Sequence, residues 1–539
     1  MKRSFVFYLL LLSLIVIWGA GCGERGQGEA TKQAKFIRHN HGQEPETMDP
    51  ALNTTVNGGT LIIATFEGLT SLDEQDHPRA GVAESWDISP DKTKYTFYLR
   101  KDAKWSDGRP VTAKDFAYAW QRVLAPGTLA EYAYQLFYVK NALAYNAREA
   151  EVDDLGFKAI DDYTFEVQLE APTPFFLKLT ALPTLCPVRE DIVARYGEKW
   201  ALEPETYIGN GPFKMVEWKS KDSMKFIKNE QYWNKAQIKL DGFIETFIAE
   251  ESTMLAAYEA GELDVIDSVP LEEIARLQKE SPEFHILPQL GTYFYCFNVT
   301  KPPFNDLRVR KAFALAIDRE DLVNKVRKSG TPATAFVPPG VPDADGQDFR
   351  AVGGKFFPGK AQPEEAQRLL REAGYPNGEG LPDVTFIYNT QEEHKKLAEA
   401  VLEMWKQNLG ITNVFVKNQD WAVFVNSVQN GEFQIARHGW IADYNDPMTF
   451  IDLFTTGNGN NIAQWSNKDF DRLIEQARIT SAEETRMAVL HQAEELFLAD
   501  VIIAPLFYYT ENCMIKPYVK GLYKSPLGFT YFAQGDIVK

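Results

Sequence analysis

The stretch "KYTFYLRKDAKWSDGRPVTAKDFAYAWQRVL", Lys94 to Leu124, decides the fold class. It opens with Tyr95, Phe97 and Leu99 on alternate positions, the period of a half-buried strand. Asp107-Gly108 supplies a turn. Beyond it the period changes. Thr112 fits a helix N-cap, Asp115 follows three residues later, and a helix runs on towards Leu124. Strand, turn and helix in so short a span predict a mixed α/β fold.

Outward from there the same alternation continues. "TFEVQLEAPTP" (Thr164–Pro174) reads as a strand stopped by two prolines. In "HKKLAEAVLEMWKQNLG" (His394–Gly410), Leu397, Val401, Trp405 and Leu409 recur every fourth residue and Gly410 ends the helix. "ITNVFVKNQDW" (Ile411–Trp421) returns as a strand. "EEAQRLLREAGYP" (Glu364–Pro376) is a helix with a Gly-then-Pro stop. The chain has 539 residues, enough for about three domains at roughly 100–200 residues each. No internal repeat is visible.

The N-terminus reads as a targeting segment. Met1-Lys2-Arg3 is basic, Phe5 to Trp18 is almost wholly apolar, and small residues lead to Cys22. That is a secretory signal, residues 1–21, too short for a comfortable membrane span. "GAGC" (Gly19–Cys22) resembles a lipobox, with Gly19 where Leu is usual, so Cys22 is expected to carry lipid. The polar, glycine-containing stretch over 22–35 reads as a tether. Without the signal, 55 basic face 75 acidic residues, a net −20. Nucleic acid is thereby excluded as a partner, since it demands a basic surface.

Cys186, Cys296 and Cys513 are far apart and form no C-x-x-C pair. Three buried thiols is the reading taken, with one disulfide plus a free thiol as the alternative. Nucleophile-elbow, zinc-protease and phosphate-loop motifs are missing. "GNGNN" (Gly457–Asn461) is read as a loop and "DADGQD" (Asp343–Asp348) as a solvated turn. His39 and His41 flank Asn40 in what looks like the first strand. At i, i+2 they could share a metal, but they are read as polar-face residues of a surface strand, and no metal or other cofactor is assigned. An enzyme is not the expectation.

"GWIADYNDPMTF" (Gly439–Phe450) sets Asp443 among large apolar side chains, where a bare charge is costly. Either the acid caps a turn before Pro447, or it awaits a cation.

A long colinear set of motifs resembles the extracytoplasmic solute-binding proteins of family 5. "AESWDISPDKTKYTFYLRKDAKWSDGRPVTAKDFAYAWQRVL" (Ala83–Leu124) looks like their signature region. "EPETMDPAL" (Glu44–Leu52), "YIGNGPFKMVEW" (Tyr207–Trp218) and "KPPFNDLRVRKAFALAIDRE" (Lys301–Glu320) match their opening and middle. "NTQEEHKKLAEA" and "RHGWIADYNDP" most resemble the oligopeptide-binding lipoproteins of peptide ABC importers. The resemblance implies a two-lobed periplasmic-binding-protein-like fold (class II) with an additional inserted domain. By it, 36–66, 191–293 and 511–539 form lobe I, 67–190 the inserted domain and 294–510 lobe II.

It also implies a site. Asp443 would hold a peptide's ammonium. Trp421 and Trp440 would lie at side-chain pockets. Gly439 and Val56 would present backbone to an added strand. Arg437 and His394 would meet the carboxylate end, and Tyr508 or Tyr509 would line the cleft. Val428 departs from the pattern, standing where the nearest relatives carry a basic residue, and Ile441 is bulky where some carry Cys. Both departures bear on peptide length preference.

The expected protein is a monomeric, lipid-anchored receptor on the outer face of the cell membrane that hands short peptides to an ABC permease. The rivals are the same fold with a dipeptide, a nickel chelate or another solute, and a surface chaperone for unfolded chains.

Overall fold

The computed structural model describes residues 34–539. The signal segment, Cys22 and the tether as far as residue 33 lie outside the described residues. Lys35 to Lys539 form one compact unit.

The Lys94–Leu124 stretch folds as its pattern demands. Lys94–Leu99 is a strand with Tyr95, Phe97 and Leu99 buried. Gly108 has φ +90°, which suits a residue without Cβ, and its N–H closes the turn onto the Trp105 carbonyl at 2.8 Å. The helix is Ala113–Leu124, and the Thr112 N–H donates to Asp115 Oδ2 at 2.7 Å, which satisfies a donor at the helix start. Its apolar face, with Phe116, Trp120 and Val123 buried, packs on a four-stranded antiparallel sheet. The sheet order is Ala83–Ile88, Lys94–Leu99, Thr164–Gln168, Phe157–Asp161. Trp120 meets Phe157 and Phe165 edge to face.

A second, larger sheet dominates the molecule. Its middle is two long antiparallel strands, Phe284–Phe297 and Ile503–Ile515. On one side the order continues through Val265–Ile266, Phe36–Asn40, Gly242–Thr246, Ser223–Lys228 and Phe213–Lys219. On the other it continues through Ile435–Ile441, Val384–Asn389 and Val414–Gln419. The two central strands thus belong to both halves. Their register breaks between Pro288 and Thr292, where the ladder passes from Thr510 to Tyr508.

Helices cover the sheet by the expected periods. Glu392–Leu409 buries Leu397, Val401, Trp405 and Leu409, and Gly410 closes it at φ +74°. Pro363–Glu372 is the predicted shorter helix. Gly457–Asn461 is irregular, as read. Cys186, Cys296 and Cys513 are buried and free, which settles the thiol question.

One expectation is overturned. His39 is not on a surface strand. It is fully buried, with Nδ1 2.5 Å from Glu245 Oε2 and Nε2 2.9 Å from Asp267 Oδ1. Burial alone would lower its pKa, but Asp267 and Glu245 outweigh that and raise it to about 10. The alternating pattern cannot reveal this, because both faces of the strand are covered.

Arg350 and Glu494 form a buried two-toothed ion pair at 2.7 and 2.8 Å. Replacing Arg350 by Met leaves Glu494 buried without its charge partner. Urea unfolding should show a loss of about 3–5 kcal/mol; a change under 1 kcal/mol would contradict the pairing.

Candidate functional site

A cavity of about 470 Å3 lies between the two halves, within the size range of small-ligand sites. One wall is the strand Ile435–Ile441. It pairs with Phe284–Phe297 along its whole length, but with Val384–Asn389 only at Ile435 and Ala436. The Ala442 N–H donates to the Leu290 carbonyl at 2.7 Å. By the alternation of an antiparallel ladder, Arg437, Gly439 and Ile441 therefore turn their amide and carbonyl groups the other way, to an edge with no strand on it among the described residues. A free edge is the template onto which an extended chain can pair.

Asp443 stands just beyond that edge, half-buried on the cavity wall. Its Oδ2 accepts from Gln135 Nε2 at 2.7 Å and the Tyr134 hydroxyl at 3.2 Å, and its Oδ1 from the Tyr132 hydroxyl at 3.3 Å. All these donors are neutral. Burial raises its pKa to about 7, only partly offset by the hydrogen bonds from the two tyrosines and Gln135, and the nearby Asp452 charge adds to the rise. No Lys, Arg or His side chain lies within ion-pairing range of Asp443 among the described residues.

The neighbouring acid has a different task. Asp446 is clamped by Arg486 at 2.6 and 2.9 Å and accepts the Met448 N–H at 2.9 Å. The turn before the Met448–Ile451 helix is thus made by Asp446, and the turn reading offered for Asp443 falls away. Stacking of Phe175 on Tyr444, centroids 4.6 Å apart, holds the motif against the smaller sheet's half of the chain.

The other sequence-predicted residues divide into two groups. Val56, Trp421, Arg437, Gly439, Trp440 and Tyr509 all line the cavity. Arg437 donates to the Tyr509 hydroxyl at 2.9 Å and lies 4.8 Å over the Tyr293 ring, while its Nε is buried without a partner. It too has no carboxylate within ion-pairing range among the described residues. The Trp440 indole N–H is likewise buried and unpaired. Trp421 opens the helix Trp421–Gln429 and stacks on Phe424. Val56 is the first residue of the helix Val56–Thr65, capped by Thr55, and not part of a strand. It faces Ile441 across the cavity: a Cβ on Gly528 would lie 3.0 Å from Val56 Cγ1 and 3.7 Å from Ile441 Cδ1.

His394 and Tyr508 lie off the cavity. His394 is buried at the start of Glu392–Leu409, with Nδ1 3.4 Å from the Tyr293 hydroxyl. Burial and then the Arg437 charge hold its pKa well below the usual value, so it is a neutral prop behind Arg437. Tyr508 and Tyr509 are neighbours on one strand and point to opposite faces, so only one can reach the cavity. Val428 is buried and apolar on the cavity wall, and supplies no cation there.

Sequence reasoning missed Tyr132, Tyr134, Gln135 and His438. The first three lie over 300 residues from Asp443 in the chain. "EYAYQL" carries no period that would pair it with a distant acid. His438 lines the cavity and is flagged only by its place inside "RHGW"; burial and the adjacent Arg437 lower its pKa to about 4.

Gly439 has a local reason to be glycine. A Cβ there would sit 2.1 Å from the Tyr509 hydroxyl, the group that anchors Arg437. Gly439→Ala should therefore displace Tyr509 and weaken solute binding at least tenfold by calorimetry, and Tyr509→Phe added to it should recover part of the loss. Equal affinity of Gly439→Ala and the unaltered protein would refute the clash.

Residues 77–462 match the family described as bacterial extracellular solute-binding proteins, family 5. The Bacillus subtilis dipeptide-binding protein DppE is 38% identical over 94% of this chain and 93% of its own. The solved Haemophilus influenzae OppA in complex with the peptide RPPGFSPFR is 36% identical, with a TM-score of 0.87 over 94% of this chain and all of that one. Escherichia coli MppA, a murein tripeptide binding protein solved in an unliganded open form, is 34% identical with a TM-score of 0.67 over 94% of this chain and 98% of its own. The chain belongs to the bacterial extracellular solute-binding proteins of family 5, which bind solutes for transport and are not enzymes.

Proposed function

We propose that this protein is the peptide receptor of an ABC importer. The observation that carries the reading is the unpaired edge Arg437–Ile441, which has a guanidinium at one end and the Asp443 carboxylate past the other. A peptide in extended form can add to that edge through backbone hydrogen bonds, which do not depend on its sequence. Its ammonium meets Asp443 and its carboxylate end faces Arg437, whose planar fork of donors suits that group. The two charges are six residues apart in the chain, at most about 20 Å of strand, which suits a short peptide. Trp421 and Trp440 offer broad contact to varied side chains.

Capture works by closure of lobe I (36–66, 191–293, 511–539) and the inserted domain (67–190) on lobe II (294–510). The register break at Pro288–Thr292 is the hinge. The greater likeness to the peptide-complexed relative than to the unliganded open one supports reading the described arrangement as the closed form. Contacts across the cleft fit that reading. They include Gln135 to Asp443, Lys178 Nζ to the Asn445 carbonyl at 3.1 Å, and Gln429 to Glu131 at 2.7 Å. The closed receptor, a monomer anchored through a lipid on Cys22, docks on the permease, and ATP hydrolysis elsewhere drives import.

Ionised Asp443 is the form that binds an ammonium. With a pKa of about 7 in the enclosed, ligand-free site, pairing with an ammonium must expel a proton at lower pH. Affinity for a short peptide should be nearly flat from pH 7.5 to 8, then fall by about tenfold per pH unit below 7. Asp443→Asn should bind over a hundredfold more weakly at pH 7.5, in line with losing one partner of an enclosed pair, and should show no such slope. Calorimetry at several pH values reads both; an Asp443→Asn protein with unchanged affinity would sink the proposal.

A further inference from the structure

The buried imidazole of His39 belongs to a cluster that peptide capture does not use. His39 and His41 project from the first strand and its end towards Asp267. His41 Nδ1 and Asp267 Oδ2 are 2.8 Å apart, yet neither has a partner in hydrogen-bonding geometry, and both atoms are buried. His39 Nε2 is 2.9 Å from Asp267 Oδ1. The three ligand-type atoms lie within 4.8 Å of one another.

We propose that His39, His41 and Asp267 form a site for one transition-metal dication of the zinc type. Two imidazoles and a carboxylate are the donor set that borderline ions such as Zn2+ take, with a fourth position left over. Tetrahedral ligand atoms at about 2.0–2.2 Å from such an ion sit about 3.3–3.6 Å from one another, so the His41–Asp267 pair at 2.8 Å must open slightly to admit it.

The surroundings fit a metal site in three ways. First, one carboxylate orients both histidines: Glu245 Oε2 sits on His39 Nδ1 at 2.5 Å, and Glu245 Oε1 accepts the His41 backbone N–H at 2.9 Å. A carboxylate behind a ligating imidazole is the usual arrangement for fixing which nitrogen faces the ion. Second, the charge balance has room for a dication. Glu245, Asp267 and Glu511 are acids, and once an ion on His39 Nε2 displaces that ring's second proton the one fixed cation left among them is Lys524, whose Nζ bridges Asp267 Oδ1 at 2.6 Å and Glu511 Oε1 at 2.5 Å. Lys524 occupies one oxygen of Asp267 and leaves the other, Oδ2, to the ion. Third, there is an entry path, because His41 is half-exposed and lines the cavity. The fourth position therefore opens to the solute chamber. Gln289 Nε2, 3.5 Å from Glu511, places the cluster beside the register break of the central strands.

The test uses the purified protein, stripped with a chelator and dialysed, and titrated with ZnSO4 in a calorimeter. One Zn2+ per chain should bind. His41→Ala should weaken binding at least a hundredfold. It removes a half-exposed side chain and leaves the His39–Glu245–Asp267–Lys524 contacts in place, so it should fold; circular dichroism checks this. X-ray absorption of the loaded protein should show two imidazole nitrogens in the zinc shell. No one-to-one binding, or equal affinity in His41→Ala, would overturn the site.

Discussion

Everything at this site depends on a strand that is paired on both sides at its start and on one side thereafter. Ile435 and Ala436 are clamped between two neighbours, which fixes the direction of the strand. From Arg437 to Ile441 the second neighbour is absent, and a row of backbone donors and acceptors faces the cavity. Exposed edges are hazards that proteins usually cover. Here the edge is covered by enclosure: residues of the facing half of the molecule line the other side of the cavity, and Val56 comes opposite Ile441.

The second constraint is charge out of water. Asp443 and Arg437 flank the edge, and each is held by neutral partners: Tyr132, Tyr134 and Gln135 for the acid, Tyr509 and Asn389 for the base. Groups so placed are oriented but not neutralised, which leaves their charge for a ligand. The contrast with Asp446, satisfied by Arg486, lies three residues away on the same motif. The cluster of His39, Glu245, Asp267, Lys524 and Glu511 shows the opposite solution, with acids and cations paired directly to one another and one acid in excess, beside the strands that join the halves.

Much of this was legible in the sequence, because local pattern records local structure. The strand at Lys94–Leu99, the cap at Thr112–Asp115 and the every-fourth-residue apolar face of Glu392–Leu409 are set by period and capping chemistry alone. The cavity residues from Trp421 to Asp443 were found through motif resemblance, and they do share one wall. What stayed hidden is what only long-range pairing creates. The burial of His39 comes from strands and loops 200 or more residues away. The partners of Asp443 come from a short 3-10 turn with no repeating pattern. The choice of Tyr509 over Tyr508 is a matter of register, where a shift by one residue reverses every side chain. His394 was misplaced for a related reason: its side chain turns inward at a helix start that the sequence presents as polar.

Native mass spectrometry of the purified protein mixed with matched short peptides tests the central claim most directly. The mixture would hold each peptide in free, N-acetylated and C-amidated form. The account predicts one adduct per chain, formed by peptides with a free ammonium and strongly reduced or lost on acetylation. Adducts with acetylated peptides in equal yield, or no peptide adduct at all, would contradict it.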